Sequence, residues 1–385
     1  MKNIQIIVML LLVVVFGCQT NESNTEKVID KVVTYKAEIA DSVVLDRLSE
    51  VMMEAINAET SQLLLHDEQT NEMLVVDSHG EVVSSFNPFV ESPDYMGNSS
   101  FGWTFYGEDK MVGFGYTHFV QYSLEGKRLK RFPYPIEVNG WVMMDFFPKR
   151  VAYYQGGSTE EVLALIPGIP SPRSQSYYDS LDLVYALNFE KDASRPVFRR
   201  PTQSVYRTEG KYIDNGYPSM DHLGDGKFAL IYPSDKNVYI YDAPSNELIN
   251  TISLPEAHQP EYKAADFDSK VSPDLTKSVS YVMGMGDQFA VMVNGRIPES
   301  EFKKLREIDR WWESPELDQL SNKYGSMDLL LFDQEKYLGE VKWDFDLGDY
   351  RFLGDSNGYI WLKRVYEDER EYQTFLKIRI VPEVD

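Results

Sequence analysis

The sequence NVYIYDAPSNELINTI, residues 237–252, contains the pattern that decides the fold of this chain. An apolar run rich in β-branched and aromatic residues is followed by a short Asp, Pro, Ser and Asn stretch, and then by a second extended run. Residues of the first kind favour β-strands, and residues of the second kind are typical of turns. The segment therefore predicts a β-hairpin.

The same hairpin pattern recurs along the chain, with five complete copies and a sixth that lacks its second run. The other copies are EMLVVDSHGEVV (72–83), HFVQYSLEGKRLKRF (118–132), LVYALNFEKDASRPVF (183–198), DLLLFDQEKYLGEV (328–341) and the incomplete TFLKIRIVPEVD (374–385). Another pair of strand-like runs precedes each copy, so the repeating unit has four strands at a spacing of about 40 to 50 residues. This repeat predicts an all-β fold, a six-bladed β-propeller, with a two-sheet sandwich as the alternative.

The N-terminal run VVTYKAEI, residues 32–39, has strand composition but no neighbouring strand of its own. Because a propeller hides its sheet edges by closing the ring, we expect this run to supply the outer strand that the last repeat lacks. The inner strands of the six blades are predicted to begin near Val51, Ser100, Trp141, Tyr217, Ser278 and Tyr350.

Three long segments interrupt the repeat, at residues 156–182, 255–277 and 295–327. The first and third are predicted to join the second and third strands of blades three and five, and the middle one to join blade four to blade five. All three then leave the ring on the same face. Loops of this length are uncommon unless they are functional or disordered, so this face is the predicted binding face.

Segment 295–327 is predicted to form a helical insertion in blade five, because apolar residues recur there at three-to-four spacing. The residues of this stripe are Phe302, Leu305, Ile308 and Trp312. Ser314 is a suitable N-cap for a further helical turn, and Gly325 is predicted to end it.

The aromatic residues of the insertions are the candidate binding residues, namely Trp311, Tyr177 and Tyr178. Trp312 belongs to the inward stripe, so its neighbour Trp311, about 100° further round the helix, is expected to face outward. Pinning the loops to the ring is the other role for these aromatic side chains, and it is the favoured one. The stretch SPRSQSYYDS, residues 171–180, is expected to be mobile.

The N-terminus, MKNIQIIVMLLLVVVFGC, has a basic residue at Lys2, an apolar run and then Gly17 before Cys18. This predicts a lipoprotein signal peptide at 1–17, lipidation of Cys18, a flexible tether at 18–31 and a single propeller domain at 32–385. An ordinary secretory signal is the alternative. Cys18 is the only cysteine, so no internal disulfide can form.

The charge and the missing motifs exclude several functions. A net charge of -23 repels nucleic acid, so no nucleic acid is expected as a partner and membrane attachment requires the lipid anchor. The sequence has no HExxH, CxxC, Walker A or GxSxG motif, and its five histidines have no metal-ligand spacing. We therefore expect no metal, no cofactor and no catalytic residue.

The VFGC sequence, the polar acidic tether and the six aromatic-rich repeats together resemble the six-bladed, TolB-like propeller lipoproteins of Bacteroidota, a family of unknown function. The resemblance implies a lipid-anchored protein of the cell envelope, at the outer membrane, with the leaflet left open. It transfers no functional residue to this chain.

The predicted function is a binding or interaction module for a protein, peptide or glycan, which would use the face carrying 156–182, 255–277 and 295–327. The alternative is a propeller hydrolase or lyase acting on a glycan or lactone. A purely structural or sensory role in the envelope is a third possibility.

Overall fold

The computed structural model describes residues 33–138, 151–156, 159–166, 173–180, 182–271, 273–343, 352–366, 368 and 370–383. These residues form 25 β-strands and four short α-helices, so the fold is mostly β, as predicted. In this described part of the chain, no helix has the length and apolar character needed to cross a bilayer.

Sixteen of the strands, numbered in chain order, form four antiparallel sheets in which each strand pairs with the next along the chain. The first sheet is β2 (Val51–Asn57), β3 (Gln62–Asp67), β4 (Glu72–Val76) and β5 (Val82–Phe86); the second is β6 (Ser100–Tyr106), β7 (Lys110–Gly115), β8 (His118–Ser123) and β9 (Arg128–Pro133). The third is β10 (Val151–Gly156), β11 (Thr159–Leu165), β12 (Val184–Asn188) and β13 (Ala193–Val197); the fourth is β14 (Ser219–His222), β15 (Lys227–Ile231), β16 (Asn237–Asp242) and β17 (Glu247–Ser253).

The other nine strands form one larger sheet. In spatial order they are β18 (Glu261–Lys263), β19 (Asp274–Met285), β20 (Gln288–Gly295), β21 (Met327–Asp333), β22 (Tyr337–Lys342), β1 (Tyr35–Leu45), β25 (Gln373–Pro382), β24 (Tyr359–Lys363) and β23 (Phe352–Gly354). The five complete hairpin copies of the sequence coincide with β4–β5, β8–β9, β12–β13, β16–β17 and β21–β22.

The first strands of successive four-strand units contact one another around an axis. β2 contacts β6, β6 contacts β10, β10 contacts β14, β14 contacts β19 and β19 contacts β23; β2 in turn contacts β24. This closed succession of sheets is the arrangement of a β-propeller. Hydrophobic clusters fill the spaces between neighbouring sheets, so the core is divided among these interfaces instead of lying at one centre.

The first strands approach one another closely where they line the axis. A Cβ atom on Gly284 of β19 would lie 1.9 Å from the carbonyl oxygen of His222, and one on Gly354 would lie 2.0 Å from the carbonyl oxygen of Gly284. Only glycine fits at these two positions. Asp221 reinforces the contact, because its Oδ2 accepts a hydrogen bond from the Gly284 N–H at 2.9 Å.

The N-terminal strand pairs with the last strand of the chain, as predicted, although it spans Tyr35–Leu45 and not 32–39. β1 lies antiparallel to β25 along its whole length and parallel to β22 at Tyr35 and Lys36. Its side chains alternate at the C-terminal end, with Val43 and Leu45 buried and Val44 exposed. The first and the last strand therefore belong to one sheet.

The predicted starts of two inner strands, near Trp141 and Tyr350, lie outside the described residues; the described third sheet has Val151–Gly156 as its first strand. One predicted start needs correction: the inner strand of the large sheet begins at Asp274, earlier than the predicted Ser278.

A buried carboxylate fastens the β3–β4 hairpin of the first sheet. Asp67 is fully buried and accepts hydrogen bonds from the backbone N–H groups of Gln69 and Thr70 and from the Arg47 Nε, the last at 2.5 Å. Burial alone would disfavour the charged form, but these bonds and one from the Ser49 hydroxyl outweigh it. They lower the pKa of Asp67 to about 2.

Candidate functional site

Long connections leave the sheets on one face, which we call the long-loop face. Those considered below are residues 166–183, 198–218, 254–273 and 296–326, of which 167–172, 181 and 272 lie outside the described residues. In an antiparallel sheet, connections from the second to the third strand and from the outer strand to the next unit start at the same end. The predicted clustering of long segments on one face therefore follows from the observed strand order.

The boundaries of two predicted segments were wrong. β11 occupies Thr159–Leu165, so the connection predicted at 156–182 begins only after Leu165. In 255–277, β18 and the first residues of β19 are strands that pair with each other. The segment 295–327 agrees with the structure, since β20 ends at Gly295 and β21 begins at Met327.

The connection 198–218 was missed, because its apolar residues have no regular spacing and it lies between two segments that resemble strands. Its signal in the sequence is a concentration of tyrosine and arginine. It contains the short helix α2 (Val205–Thr208), and Tyr212 forms a two-way backbone bridge with Ala265 of the next connection. The two connections therefore support each other.

A buried tyrosine cluster fixes this part of the long-loop face. The Tyr206 hydroxyl bonds to both carboxylate oxygens of Asp214 at 2.8 Å, and the Ser234 hydroxyl bonds to the same carboxylate at 2.6 Å. The Tyr178 hydroxyl donates to the Asp214 carbonyl oxygen at 2.6 Å. Burial raises the pKa of Tyr206 and of Tyr178, so both hydroxyls remain neutral donors.

The predicted binding residues Tyr177 and Tyr178 belong to this cluster and do not face a ligand on the surface. They lie on helix α1 (Gln175–Ser180) with exposed fractions of 2% and 1%. The alternative role, pinning the loop to the ring, fits these positions. The expectation that 171–180 is mobile was also wrong for Gln175–Ser180, because burial of two tyrosines orders this helix; residues 171 and 172 lie outside the described residues.

The connection 296–326 contains two helices instead of one continuous stripe. Helix α3 spans Glu299–Leu305, and helix α4 spans Pro315–Tyr324 with the Ser314 hydroxyl accepting from the Leu317 N–H, as the sequence predicted. Between them Arg310 adopts a left-handed conformation with φ 52°, followed by a 3-10 turn at Trp311–Glu313. The helical period therefore stops before the two tryptophans.

This break reverses the predicted orientation of the tryptophans. Trp312 has an exposed fraction of 59%, so its predicted inward position was wrong. Trp311 is half-buried and packs edge-on against Phe302 with ring centroids 5.2 Å apart. The two indole rings are themselves 6.0 Å apart and nearly perpendicular. Trp311 thus packs between Phe302 and the exposed Trp312 on the long-loop face.

A cavity of about 790 Å³, which we call the helix cavity, lies between α4 and the ends of β20, β21 and β22. Its lining is rich in amide, hydroxyl and carboxylate groups and includes one indole. These residues are Asn294, Ser321, Asn322, Ser326, Asp328, Glu340 and Trp343. Such groups can donate to and accept from the hydroxyl and amide groups of a polar ligand, while the indole offers an apolar face.

The imidazole of His258 forms hydrogen bonds with two of the carboxylates that line the helix cavity. It is largely buried in the 3-10 turn Glu256–His258, with Nδ1 3.1 Å from Asp328 Oδ2 and Nε2 2.7 Å from Glu340 Oε1. The connection 254–273 is thereby tied to β21 and β22. The three side chains form a chain of hydrogen bonds and not a metal-ligand set; the described residues contain no group of histidine, cysteine and acidic side chains that could hold a metal ion.

A second cavity, of about 320 Å³, lies on the axis and is lined by residues of all the inner strands. It includes His222, Gly284 and Asp355. The Asp355 carboxylate is occupied by hydrogen bonds from the Trp361 Nε1 at 2.7 Å and from the Asn357 N–H at 2.9 Å. The axial cavity is smaller than the helix cavity, and the Asp355 carboxylate in its lining is engaged by hydrogen bonds from within the chain.

No protein-family model matches the chain, and no curated protein matches it. Among solved structures, the chain is similar to a DUF4221 family member from Bacteroides vulgatus, with a TM-score of 0.59 and 8% identity, covering 90% of this chain and 99% of that one. A Bacteroides fragilis protein described as exported has a TM-score of 0.46 and 12% identity, covering 92% and 96%. BamB from Moraxella catarrhalis has a TM-score of 0.37 and 9% identity, covering 90% and 97%.

The first of these similarities shows that the chain shares its fold with a Bacteroides protein, which agrees with the predicted resemblance to Bacteroidota proteins. At 8% identity it shows the fold alone. The TM-scores of the other two are too low to support an argument. Nothing in these comparisons favours the hydrolase or lyase alternative.

Proposed function

We propose that this chain is a lipid-anchored, six-bladed β-propeller of the cell envelope that binds a polar ligand on its long-loop face. The blades would be the four four-stranded sheets, β19–β22, and β23–β25 completed by β1. The succession of contacts between first strands supports this count. Signal peptide 1–17, acylated Cys18, tether 18–31 and outer-membrane location are parts of the same proposal, carried by the sequence alone.

The observation that carries the binding function is the helix cavity. Its volume of about 790 Å³ is in the range of small-molecule and oligomer sites, about 300 to 1,000 Å³. Helix α4, which we assign to a helical insertion of blade five, forms one wall of it through Ser321 and Asn322. The exposed Trp312, supported by Trp311, stands on the same insertion and would extend the contact surface beyond the cavity.

The ligand that this lining fits best is a glycan. Side-chain amides, hydroxyls and carboxylates can satisfy the many hydroxyl groups of a sugar, and an indole can cover its apolar face. A peptide or protein segment is the second candidate, because an exposed tryptophan is a frequent centre of protein interfaces. The lining of this cavity holds two carboxylates and no basic residue, so neither ligand should be strongly acidic.

The test is a glycan and peptide binding screen of the full chain, repeated with two matched variants of α4. Ser321 lines the cavity, whereas Gln319 is equally exposed about 200° away on the same helix. Ser321→Trp should fill the cavity and abolish binding of the hits, and Gln319→Trp should leave binding unchanged. Equal binding by both variants would show that the cavity is not the site.

The contribution of the tryptophans is tested separately with the same hits. Trp312→Ala should leave the melting temperature nearly unchanged and weaken binding by about 2 kcal/mol or more, about thirtyfold. Trp311→Ala should both weaken binding and destabilise the segment, because Trp311 packs on Phe302. Full affinity in Trp312→Ala would restrict the site to the helix cavity.

A further inference from the structure

A third cavity, away from the helix cavity, has an opposite charge balance. It is a groove of about 560 Å³ between β13, the connection 198–218 and the outer strands of the fourth sheet. It is lined by Asp182, Pro196, Val197, Arg199, Arg200, Pro201, Thr202, Gln203, Arg207, Tyr241, Asn246 and Leu248. The whole chain has 38 basic and 61 acidic residues, but this lining has three arginines and one acid. We call it the arginine groove.

Arg200 places a permanent positive charge beneath the groove. Its exposed fraction is 5%, and its guanidinium lies over the rings of Tyr178, Tyr206 and Tyr232 at 4.8 to 5.2 Å. Its Nη atoms donate to the carbonyl oxygens of Tyr178 and Gly216 at 3.1 and 2.8 Å. Among the described residues no carboxylate pairs with it, and its buried Nε has no hydrogen-bond partner. Arginine stays charged in proteins, so Arg200 carries a positive charge that has no ion pair among the described residues.

Arg199 and Arg207 bring further donors to the same groove. Arg199 has a side-chain exposed fraction of 78% and, within the described part of the chain, one ion pair, from Nε to Asp182 at 3.3 Å. The Arg207 Nη1 donates to the Arg200 carbonyl oxygen at 3.2 Å, and its Nε forms an ion pair with Asp179 at 3.6 Å, which is longer than a hydrogen bond. A guanidinium has five N–H donors, so each of these two side chains has donors beyond those used in the contacts to described residues.

We propose that the arginine groove binds an oxyanion group, a carboxylate, sulfate or phosphate, carried by a ligand of the protein. Arg199 and Arg207 would bind the oxygens through paired N–H donors, and the buried Arg200 would add an attractive field in a site partly shielded from water. The arginine groove shares no lining residue with the helix cavity, so this proposal goes beyond the proposed function. Anion binding in the groove can be tested independently of ligand binding in the helix cavity.

The surrounding protein makes the groove selective for a small acidic group over an acidic polymer. The net charge of -23 repels extended polyanions at long range, whereas a single charged group can enter the groove. A sugar carboxylate, a sulfate ester and a phosphate share this chemistry. The three groups differ in size and geometry, so their binding affinities can be compared to identify the preferred anion.

The experiment is calorimetric titration of the full chain in detergent with sodium D-glucuronate, sulfate and inorganic phosphate, with D-glucose as the uncharged control. At least one anion should bind with saturable, one-to-one stoichiometry and more tightly than D-glucose. Any binding of D-glucose in the helix cavity should be unaffected by the arginine variants described next. The anion that binds most tightly identifies the source as a sugar carboxylate, a sulfate or a phosphate. Absence of saturation with all three up to about 10 mM would overturn the proposal.

The variants Arg207→Gln and Arg199→Gln locate the site, and each should weaken binding of the best anion about tenfold or more. Arg310→Gln is the matched control, because Arg310 is also exposed and paired with one acid, Glu313, but lies outside the groove. Its affinity should stay within about twofold of the parent. If Arg310→Gln loses as much affinity as Arg207→Gln, the anion is bound by overall charge and the groove is not a site. Arg200 is left unchanged because its substitution would disturb the tyrosine cluster.

Discussion

β1, which pairs with the last strand of the chain, should be a major source of stability, and Leu45 is the residue to test. Its exposed fraction is 2%, and it packs in a cluster with Leu353, Trp361 and Phe375. These three residues come from β23, β24 and β25, more than 300 positions away along the chain. Leu45→Ala therefore removes a contact that only the closed ring can make.

The expected cost can be estimated from the atoms removed. Leucine to alanine deletes three side-chain carbons, and each buried methylene contributes about 0.8 kcal/mol, giving about 2.4 kcal/mol of lost transfer free energy. The cavity left behind adds a further cost, because strands on both sides hold the surrounding residues in place. The total should be about 3 kcal/mol, within the range of about 2 to 5 kcal/mol for buried leucines.

The assay is urea unfolding followed by tryptophan fluorescence, with the adjacent variant Val44→Ala as control. Val44 lies on the same strand but is 47% exposed, so its truncation should change the free energy of unfolding by no more than about 0.5 kcal/mol. The slope of the transition should be the same in all three proteins. Equal stabilities of Leu45→Ala and Val44→Ala would refute the reasoning, because they would mean that β1 is not packed into the ring.

Three further predictions concern other parts of the chain. Asp67 has a folded-state pKa of about 2 against 3.8 for the free side chain, so its stabilisation is complete above about pH 4 and is lost as the pH falls from about 4 to 2. Acid titration of the free energy of unfolding should show about 2 kcal/mol of this loss in the parent, and a parent curve identical to that of Asp67→Asn would contradict the assignment. Gly284→Ala should destabilise the ring by about 1 to 3 kcal/mol in the same urea assay, because its Cβ would overlap the His222 carbonyl; unchanged stability would show that the inner strands can separate freely. Cys18→Ala should release the protein from the membrane fraction or block removal of 1–17; unchanged fractionation and migration would argue against lipidation.

The repeat was readable from the sequence because each hairpin satisfies its own backbone hydrogen bonds locally. Alternation of β-branched and aromatic residues with polar turns in 237–252, for instance, requires only neighbouring residues to form β16 and β17. The pairing of β1 with the last strand was also predictable, since one unpaired strand and one incomplete repeat leave few ways to hide the sheet edge. The N-cap at Ser314 is equally local.

The sites depended on contacts that no local pattern encodes. Helical spacing placed Trp312 inward, but the left-handed residue Arg310 ends the period and turns Trp312 to solvent. The tyrosines of α1 were binding candidates for which pinning the loop was the favoured role, and the connection 198–218 covers them. The sequence indicated the position of the helix cavity only roughly, through the length of the segment 295–327.

The sequence by itself determined the all-β character, the rhythm of the strands and the face on which the long connections lie, because these depend on residues close together along the chain. Only the tertiary structure decided what those connections do. It placed the Arg200 guanidinium over the rings of three tyrosines, His258 between two acids of different strands, and three arginines around one groove. These groupings arise because segments that are distant along the chain pack closely together. Such packing depends on side-chain shape and burial throughout the ring, and a local sequence pattern does not reveal either.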